Sequence, residues 1–408
     1  MLDVNSIAGL IERYGSPLYV FDEDAFISNY NNLLTAFRSI YPKYNIGYSY
    51  KTNYTPYVCQ LVKSLGGYAE VVSSMEYSLA RKIGYSNDRI IFNGPVKGSM
   101  LYEHLDNGGD INVDNLDELA SIIEFARENP SRSFEIAFRV NIDIEQGFVS
   151  RFGVDSDNGD LDFAFKTARA VENIDIVGLH CHVGRSRGVH AWESRIRIML
   201  SLVDKYFEKP PRFIDLGSGM SSVMEPSLAE QFGDNIPTYE EYASNVATEM
   251  AKKYGHLSFE EQPELITEPG TTVISGYLSF LTSILSIKKV KGKTIATFDG
   301  SMGNMGDICK LKRLPISVIS GPRLKKVYSD VDFVGYTCLE HDVMYKDYSG
   351  SLAVEDVVEF RNIGSYSNVF KPPFISPNCA MVAVSDKYGS RLIKRTETFD
   401  DVFQTYIF

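Results

Sequence analysis

The sequence is short of positive charge. Its 41 lysines and arginines face 53 aspartates and glutamates, so the 408-residue chain has a formal net charge of −12 at pH 7. An acidic surface repels the phosphates of nucleic acids and the head groups of anionic lipids. We therefore expect neither nucleic acid nor a membrane as a partner. Hydrophobic residues make up 44% of the chain and charged residues 23%, which excludes wholesale disorder and a collagen-like repeat.

Cysteine is also scarce, and no two cysteines are close in sequence. The five are Cys59, Cys181, Cys309, Cys338 and Cys379, an odd number without a CxxC pair. This spacing fits neither a disulfide framework nor a zinc site, and reduced thiols in a cytoplasmic protein are the simpler interpretation. The first residues, MLDVNSIAGLIERYG, lack the basic start and apolar core of a signal peptide, so we expect a helix there.

Long uncharged stretches are nearly absent. The longest lies between Glu268 and Lys288, and serines and threonines interrupt it throughout. Its apolar residues, among them Val273, Ile274 and Tyr277, fall on one helical face. We therefore predict the start of a buried helix in this stretch rather than a membrane span.

From about residue 45 the chain alternates short apolar runs with amphipathic stretches. The predicted strands are Ile46–Tyr50, Tyr68–Val72, Ile90–Phe92, Ile111–Val113, Phe134–Val140, Ile174–His180, Phe213–Leu216 and Leu265–Thr267. The predicted helices between them include Tyr57–Ser64, Ser74–Ile83, Asn115–Ala126 and Ala191–Phe207. About eight β-then-α units over about 225 residues are what a (β/α)8 TIM-like barrel requires. The same periodicity also fits a doubly wound sheet, which stays open as the alternative.

The last third of the chain has a different pattern, with β-branched segments separated by turn residues and few long helical stretches. The predicted strands are Ile284–Val290, Thr294–Asp299, Leu314–Ile319, Asp330–Val334 and Val357–Asn362. We predict an α/β barrel domain over residues 24–275 and a mainly β domain over 276–408, which residues 1–23 join. The early strand Pro17–Val20 fits either domain.

In a barrel, the residues that carry chemistry lie at the C-terminal ends of the strands. Lys51 directly follows the first barrel strand, in the segment YSYKTN. A lysine that is buried there has a lowered pKa and an amine able to form a Schiff base. The structural alternative is a lysine whose amine reaches out to solvent.

Two histidines follow a later strand, in GLHCHVGRS. His180 and His182 alternate, so on a strand they point to the same side. This fits metal ligation or a ring stacked on a planar cofactor, and it also fits two structural histidines. No third ligand is spaced nearby in the sequence, and we predict no metal site.

Two further strand ends carry glycine turns. The segment DLGSGM, with Gly217 and Gly219, exposes backbone N–H groups that suit a phosphate. The segment TEPG places Glu268 where a carboxylate can pair with a protonated ring nitrogen, with Gly270 beside it; a helix start with proline in its first turn is the alternative. An amine, a stacking imidazole, glycine turns and a carboxylate together describe a pyridoxal phosphate site.

With these motifs the chain resembles the fold-type III pyridoxal-phosphate decarboxylases, which include the diaminopimelate, ornithine and carboxynorspermidine decarboxylases. The resemblance runs in order from about Pro17 to Tyr366, through YSYKTN, EVVSSMEYSLA, IFNGPVKG, NVDNLDEL, FRVN, RFGVD, GLHCHVGRS, DLGSGM, TEPG, TCLEHD and GSYSNVF. GLHCHVG and SSMEYSLA are nearest to the diaminopimelate decarboxylase pattern. The resemblance implies an alanine racemase-like barrel with a β domain, a pyridoxal 5'-phosphate cofactor, and a carboxy-lyase of amino-acid metabolism.

The resemblance also implies roles for the matching residues. Lys51 would hold the cofactor as an internal aldimine, His182 would stack on its ring, and Glu268 would bond the ring nitrogen and stabilise a quinonoid intermediate. The implied phosphate contacts are Gly219, Gly270 and Tyr366. Cys338 would donate a proton, and we expect Asp342, Glu340 and Tyr366 to contact the substrate. Residues matching Cys338 and Asp342 reach the other subunit's site in these families, so a head-to-tail homodimer is implied.

The sequence departs from the family pattern at the phosphate and at the substrate. Thr271 stands where the family has the arginine of EPGR, and Arg185 stands where it has a serine. We expect Arg185 to supply the missing charge, with Thr271 among the cofactor contacts. The turn at Asp299 lacks the usual Asn-x-Arg-Pro, and Leu339 occupies the position of a substrate-reading acid, with Glu340 displaced by one residue. The cofactor machinery therefore matches the family better than the substrate-reading machinery.

These departures leave alternatives open. The substrate is an amino acid of the diaminopimelate type, another basic amino acid or a carboxylated polyamine, and Lys310, Lys312 and Arg313 are either a replacement carboxylate clamp or solvated surface charge. A racemase of the same fold places an arginine against the ring nitrogen, so Glu268 favours decarboxylation. A non-catalytic relative would lack Lys51 or Glu268, and both are present.

Overall fold

The computed structural model describes residues 4–144, 147, 149–233 and 236–408. The strands are β1 Leu18–Asp22, β2 Tyr44–Ser49, β3 Tyr68–Val71, β4 Ile90–Phe92, β5 Ile111–Val113, β6 Phe134–Asn141, β7 Val154–Asp155, β8 Ile174–His180, β9 Phe213–Asp215, β10 Glu264–Thr267, β11 Leu278–Val290, β12 Lys293–Phe298, β13 Ile316–Ile319, β14 Lys326–Val334, β15 Val343–Leu352, β16 Val357–Phe360, β17 Ala380–Ser385 and β18 Gly389–Lys394. The α-helices are α1 Val4–Tyr14, α2 Glu23–Arg38, α3 Pro56–Ser64, α4 Ser74–Ile83, α5 Met100–Asp106, α6 Leu116–Glu128, α7 Asp160–Arg169, α8 Val189–Tyr206, α9 Pro226–Ala229, α10 Tyr239–Tyr254, α11 Thr271–Ile274, α12 Ile308–Leu311 and α13 Phe399–Phe403. None of these helices is long and apolar enough to cross a membrane.

The chain divides into two compact units. The barrel unit comprises Tyr30–Ser221 and Asn235–Gly270. The β unit comprises Met1–Asn29, Ser222–Asp234 and Thr271–Phe408. The domain limits given above from the sequence stay a prediction.

Eight parallel strands close the barrel. They pair in the order β2, β3, β4, β5, β6, β8, β9 and β10, and β10 pairs back with β2. A doubly wound sheet would leave two open edges, so the closed ring excludes that alternative. The predicted (β/α)8 barrel is confirmed.

Local signals set where the barrel helices begin and end. The Ser73 side chain accepts a hydrogen bond from the Glu76 N–H, 3.2 Å away, and caps the start of α4. Gly84 ends α4 with a φ of +93°, a conformation that glycine adopts without strain. Thr238 and Glu241 form a capping box at the start of α10. Helices bounded in this way return the chain to the N-terminal end of the next strand.

The barrel strands are short and apolar because both of their faces are covered. In β4, for example, all three residues are buried. Ile91, Ala137, Phe213 and Ile266, from four different strands, pack into one buried cluster. This cluster forms rigid support for the loops that follow the strands.

A nine-stranded sheet forms the β unit, with β15, β14, β12, β11, β1, β17 and β18 in line, β16 paired with β11, and β13 paired with β16. β1 pairs antiparallel with β11 and parallel with β17, so the early strand belongs to this sheet. Its Leu18 and Val20 pack against Leu281 and Val382 in the core of the unit. The predicted mainly β domain is confirmed.

The uncharged stretch between Glu268 and Lys288 differs from the prediction. Helix α11 ends after one turn at Ile274, and β11 begins at Leu278. The first half of β11 lies between β1 and β16, and most of its residues are buried whichever face they occupy. A strand covered on both faces loses the alternating pattern that identifies strands. The predicted start of a buried helix is present as α11, but the helical pattern does not continue into the residues that form β11.

Candidate active site

Polar side chains converge where the barrel strands end. Lys51 lies in a single 3₁₀ turn directly after β2, and its side chain is 30% exposed. The other members, which are all buried, are Glu70, Asn93, His180, Asp215 and Glu268. Because these residues come from β3, β8 and β9 or directly follow β4 and β10, the closed barrel brings together groups that are far apart in sequence.

Hydrogen bonds connect Lys51 to Glu268 through two intermediate residues. The Lys51 ammonium pairs with the Glu70 carboxylate. The Asn93 amide donates to Glu70 Oε1 at 3.0 Å and to Glu268 Oε1 at 2.5 Å. The Asn112 amide donates to Asn93 Oδ1 at 2.7 Å and so fixes which way the Asn93 amide faces. The amine and the acid are thus held in one network.

Two histidines hold the other oxygen of Glu268. His180 Nε2 lies 3.2 Å and His182 Nδ1 lies 3.6 Å from Glu268 Oε2. Burial by itself raises the pKa of Glu268, but His180 and His182, together with the charge of Lys51, outweigh burial and hold that pKa well below its usual range. Glu268 is therefore an ionised carboxylate in a buried site, able to hold a cation such as a protonated ring nitrogen.

The second buried acid, Asp215, is in the opposite state. Its Oδ1 accepts the Gly217 N–H at 2.8 Å, whereas its Oδ2 finds no donor within the described part of the chain. Burial, and then the negative charge of Glu268, raise the pKa of Asp215 well above its usual range. Of these two acids, Asp215 keeps its proton and Glu268 carries the charge.

The His182 ring is a flat neutral surface at this end of the barrel. Burial lowers its pKa to about 4, although Glu268 acts in the opposite direction. Its side chain keeps 23% exposure, so one part of the ring remains open. The ligand atoms of His180, His182 and Glu268 lie within 4.8 Å of one another, so folding supplies a third potential ligand that the sequence spacing did not reveal. The expectation of no metal site stays a prediction.

The loops after β9 and β10 approach neighbouring backbone closely because they contain glycine. A Cβ on Gly219, which has a φ of +113°, would lie 2.3 Å from the Val183 carbonyl oxygen. A Cβ on Gly270 would lie 2.0 Å from Thr52 Oγ1. Backbone that is packed this closely can present N–H groups to an anion without side chains in between.

These residues fit pyridoxal phosphate. They include an accessible amine able to form an imine, an ionised acid for a ring nitrogen, a neutral ring for stacking and glycine turns for a phosphate. Of the predicted contacts, the barrel unit contains Lys51, His182, Gly219, Glu268 and Gly270 at these strand ends. It also contains Arg185, which is exposed in the loop after β8.

The remaining predicted contacts belong to the β unit. Asp342 is buried and accepts hydrogen bonds from Met302 N at 2.8 Å and from Thr337 Oγ1 at 2.6 Å, so it shapes its own loop. Cys338 and Glu340 are exposed. Thr271 begins α11, and Tyr366 has a φ of +54°. The functional roles of all five residues stay predictions.

Three buried members of the network were not among the predicted site residues. Glu70 and Asn93 lie in EVVSSMEYSLA and IFNGPVKG, and Asp215 begins DLGSGM. The available signal was a polar residue at the end of an apolar strand. Hydrogen bonding across the barrel, which distinguishes these three from surface polar residues, becomes visible only in the folded chain.

Known proteins are similar to this chain over most of its length. Residues 27–275 match the family described as pyridoxal-dependent decarboxylase, pyridoxal binding domain. A diaminopimelate decarboxylase of Methanocaldococcus jannaschii is 27% identical over 96% of this chain and 91% of its own. An L-glutamyl-(BtrI acyl-carrier protein) decarboxylase of Niallia circulans is 26% identical over 100% of this chain and 97% of its own. The crystal structure of the Methanocaldococcus jannaschii diaminopimelate decarboxylase matches with a TM-score of 0.86 and 26% identity, covering 98% of this chain and 94% of that one.

Proposed function

Because the chain belongs to the pyridoxal-dependent decarboxylase family, we propose that this carboxy-lyase removes the α-carboxylate of an amino acid related to diaminopimelate. Pyridoxal phosphate, when bound, supplies the electron sink for the pair that remains when CO₂ leaves. The observation that carries the proposal is the ionised, buried Glu268 linked through Asn93 and Glu70 to the Lys51 amine.

Lys51 is the residue that would bind the cofactor covalently. Its amine is partly exposed and already oriented by the Glu70 carboxylate, so a carbonyl compound can reach it. Lys51 would give up this bond to the substrate amine, and its ammonium would then be a group able to handle the proton that returns to the product carbon. Glu70, itself fixed by Ser49 Oγ at 2.5 Å, holds the amine in place through that exchange.

Glu268 would keep a proton on the cofactor's ring nitrogen. An ionised carboxylate in a buried site stabilises a neighbouring positive charge far more strongly than one in water. Asn93 and His180 orient its two oxygens, and the neutral Asp215 adds no competing negative charge. His182 would stack on the ring.

The phosphate contacts we propose are Gly219, Gly270, Thr271, Arg185 and Tyr366. Support comes from the tight backbone approach at Gly219 and Gly270. Cys338, an exposed thiol, is the proposed proton donor, and Asp342 and Glu340 are the proposed substrate contacts. In a head-to-tail homodimer the loop with Cys338 and Asp342 would complete the partner's site.

The substrate is the least constrained part of the proposal. Leu339 stands where the diaminopimelate pattern has an acid, and a site that reads a polar group loses on the order of 10⁴-fold when a partner is removed. A different basic amino acid or a carboxylated polyamine therefore remains the second candidate. A racemase is disfavoured because an acid, Glu268, occupies the position that would face the ring nitrogen.

Release of labelled CO₂ tests the proposal. Purified holoenzyme is incubated with diaminopimelate, ornithine, lysine, arginine and carboxynorspermidine, and the same reactions are analysed for inversion at Cα. We expect CO₂ from at least one substrate, and its loss in Lys51→Ala but not in Lys209→Ala, an exposed lysine of the same unit. Inversion without CO₂ release would show a racemase and contradict the proposal.

A further inference from the structure

Arg195 is a fully buried arginine on α8 of the barrel unit. Its Nη1 donates to the carbonyl oxygens of Leu216 at 2.8 Å and Ser218 at 2.9 Å, and its Nη2 donates to that of Val183 at 2.9 Å. Its guanidinium carbon lies 4.1 Å from the centre of the Trp192 ring. Its Nε is buried, and no acceptor within the described ranges reaches it. A buried charge held only by neutral groups is costly, so its position requires an explanation.

The three carbonyls that hold Arg195 belong to two loops. Val183 lies in the loop after β8, and Leu216 and Ser218 lie in the loop after β9. In a trans peptide the C=O and the following N–H point in opposite directions. The bonds to Val183 and Ser218 therefore turn the N–H groups of Gly184 and Gly219 away from Arg195.

These two N–H groups are neighbours and remain available. A Cβ on Gly219 would lie 3.5 Å from Gly184 Cα, so the two glycines are adjacent in space. The peptide between Leu216 and Gly217 differs, because the Gly217 N–H already donates a hydrogen bond to Asp215 Oδ1 at 2.8 Å. No acceptor in the described part of the chain takes the N–H of Gly184 or Gly219. Two adjacent free donors suit one anionic oxygen cluster.

A second contact ties the same loops together. Tyr242 of α10 donates through its hydroxyl to the Arg187 carbonyl and accepts the Ser221 N–H at 3.0 Å. Arg187 Nη1 in turn donates to the Met220 carbonyl at 3.2 Å. The two loops are thus joined at two places, and at one of them the fully buried charge of Arg195 lies behind the peptides that carry the free N–H groups.

We propose that Arg195 is the positioning residue of the phosphate site, where it orients the N–H groups of Gly184 and Gly219 toward a phosphate monoester and supplies the positive charge beneath them. The identity of that monoester as the cofactor's phosphate rests on the proposed function. Arg195 takes over the charge of the arginine that Thr271 replaces, and it does so without touching the phosphate. Arg185, which is exposed in the loop after β8, is then not the main source of that charge.

Cofactor affinity with and without the phosphate tests this role. Apoenzyme forms of wild type, Arg195→Met, Arg195→Lys and Arg185→Ala are titrated with pyridoxal phosphate and with pyridoxal, and binding is followed by absorbance. For Arg195→Met we expect the affinity for pyridoxal phosphate to fall by about 10-fold or more, and the affinity for pyridoxal to change by less than about 3-fold. Arg195→Lys keeps the positive charge but loses the forked arrangement of N–H donors. Its affinity for pyridoxal phosphate should therefore lie between those of wild type and Arg195→Met. Arg197→Met, an exposed arginine on the same helix, is the matched control.

The thermal midpoint of each apoenzyme with added inorganic phosphate gives a second measurement. Phosphate should raise it for wild type and less for both Arg195 variants. Equal losses for pyridoxal phosphate and pyridoxal, or no loss, would overturn the inference, as would a phosphate-selective loss confined to Arg185→Ala. If Arg195→Met does not fold, Arg195→Lys decides, by its loss of affinity for pyridoxal phosphate relative to its loss of affinity for pyridoxal. If wild type binds no pyridoxal phosphate, the proposed function fails, while the inorganic phosphate measurement still decides whether Arg195 builds an anion site.

Discussion

At the residue scale, the barrel site separates the states of two buried acids. Glu268 is ionised because two histidines and Lys51 face it, and Asp215 is neutral because burial and the negative charge of Glu268 raise its pKa. An ionised Asp215 would repel the charge of Glu268 and so favour protonation of Glu268. The separation leaves one negative charge at the place where we propose that a protonated ring nitrogen lies.

A third buried group makes stability depend on pH. His104 is fully buried, with Nε2 3.1 Å from the Asp110 carbonyl oxygen and its ring packed edge-on against Tyr77 and Phe92. Burial, and less strongly the charge of Arg81, lower its pKa from 6.5 to about 4. Between these values the unfolded chain binds a proton that the folded chain does not, so the free energy of unfolding falls as the pH drops from 6.5 to 4.

We expect the protonation of His104 to lower the free energy of unfolding by at most about 3 kcal/mol. Most of this decrease should have occurred by about pH 4. Urea unfolding at a series of pH values measures it. His104→Phe, which removes the titrating ring, should flatten the slope, whereas His256→Phe, at an exposed histidine, should keep it. An unchanged slope in His104→Phe would mean that other groups cause the dependence. His182, whose pKa is also about 4, adds a loss of the same sign that both variants retain.

At the scale of elements, the loops after the barrel strands do more than connect. Gly219 combines a φ of +113° with backbone contact to the loop after β8, so it sets the distance between two loops. Gly159, at the start of α7, has a similar φ of +95°, but a Cβ added there would meet no atom within 4 Å. The pair therefore separates backbone strain from the close approach of two loops.

Gly219→Ala should lower the affinity for pyridoxal phosphate by roughly 10-fold or more, because a Cβ at 2.3 Å from the Val183 oxygen pushes the loops apart. Gly219→Ala and Gly159→Ala both place a side chain at a positive φ, so each should lose roughly 1–3 kcal/mol of stability. Gly159→Ala should do so without loss of affinity for pyridoxal phosphate. Absorbance titration and thermal unfolding measure the two effects. Equal affinity losses in both variants would point to general destabilisation instead.

Elements also differ in how readily the sequence reveals them. All eight barrel strands were predicted close to their observed bounds, because each is an apolar run between amphipathic helices. Strands β15, β17 and β18 were not predicted. β15 and β18 lie at the two ends of the line of strands in the β unit, and most of their residues are half-buried or exposed, so they lack a clear apolar pattern. β17 is apolar and mostly buried, and no physical reason separates it from the strands that were predicted.

At the scale of the whole molecule, the proposal requires two copies of the chain. Lys51 lies in the barrel unit and Cys338 in the β unit, and we propose that each active site takes Cys338 from the partner. Two defective variants can then repair one another, because a mixed dimer contains one site in which both residues are native.

Mixing equal amounts of Lys51→Ala and Cys338→Ala, under conditions that allow subunits to exchange, should restore about one quarter of the wild-type CO₂ release. Half of the dimers are then mixed, and each has one intact site. Each variant mixed with itself is the control. Restoration that fails although exchange is demonstrated would argue against shared sites.

The sequence was sufficient for the alternation of strands and helices and for the kind of chemistry, although its periodicity also fitted a doubly wound sheet. Periodicity predicts the alternating strands and helices, and ordered motifs indicate a pyridoxal phosphate enzyme, because both depend on spacing along the chain. The predicted cofactor and family are confirmed, whereas the roles of individual residues stay predictions.

Only the tertiary structure decided which polar residues act together. Barrel closure brings Glu70, Asn93 and Asp215 beside residues far away in sequence, and it places Arg195 under two loops that no local pattern connects. The proton held by Asp215 and the charge held by Glu268 depend on burial and on neighbours. Neither burial nor distance across the barrel can be read from a linear pattern, and that is the physical reason for the division.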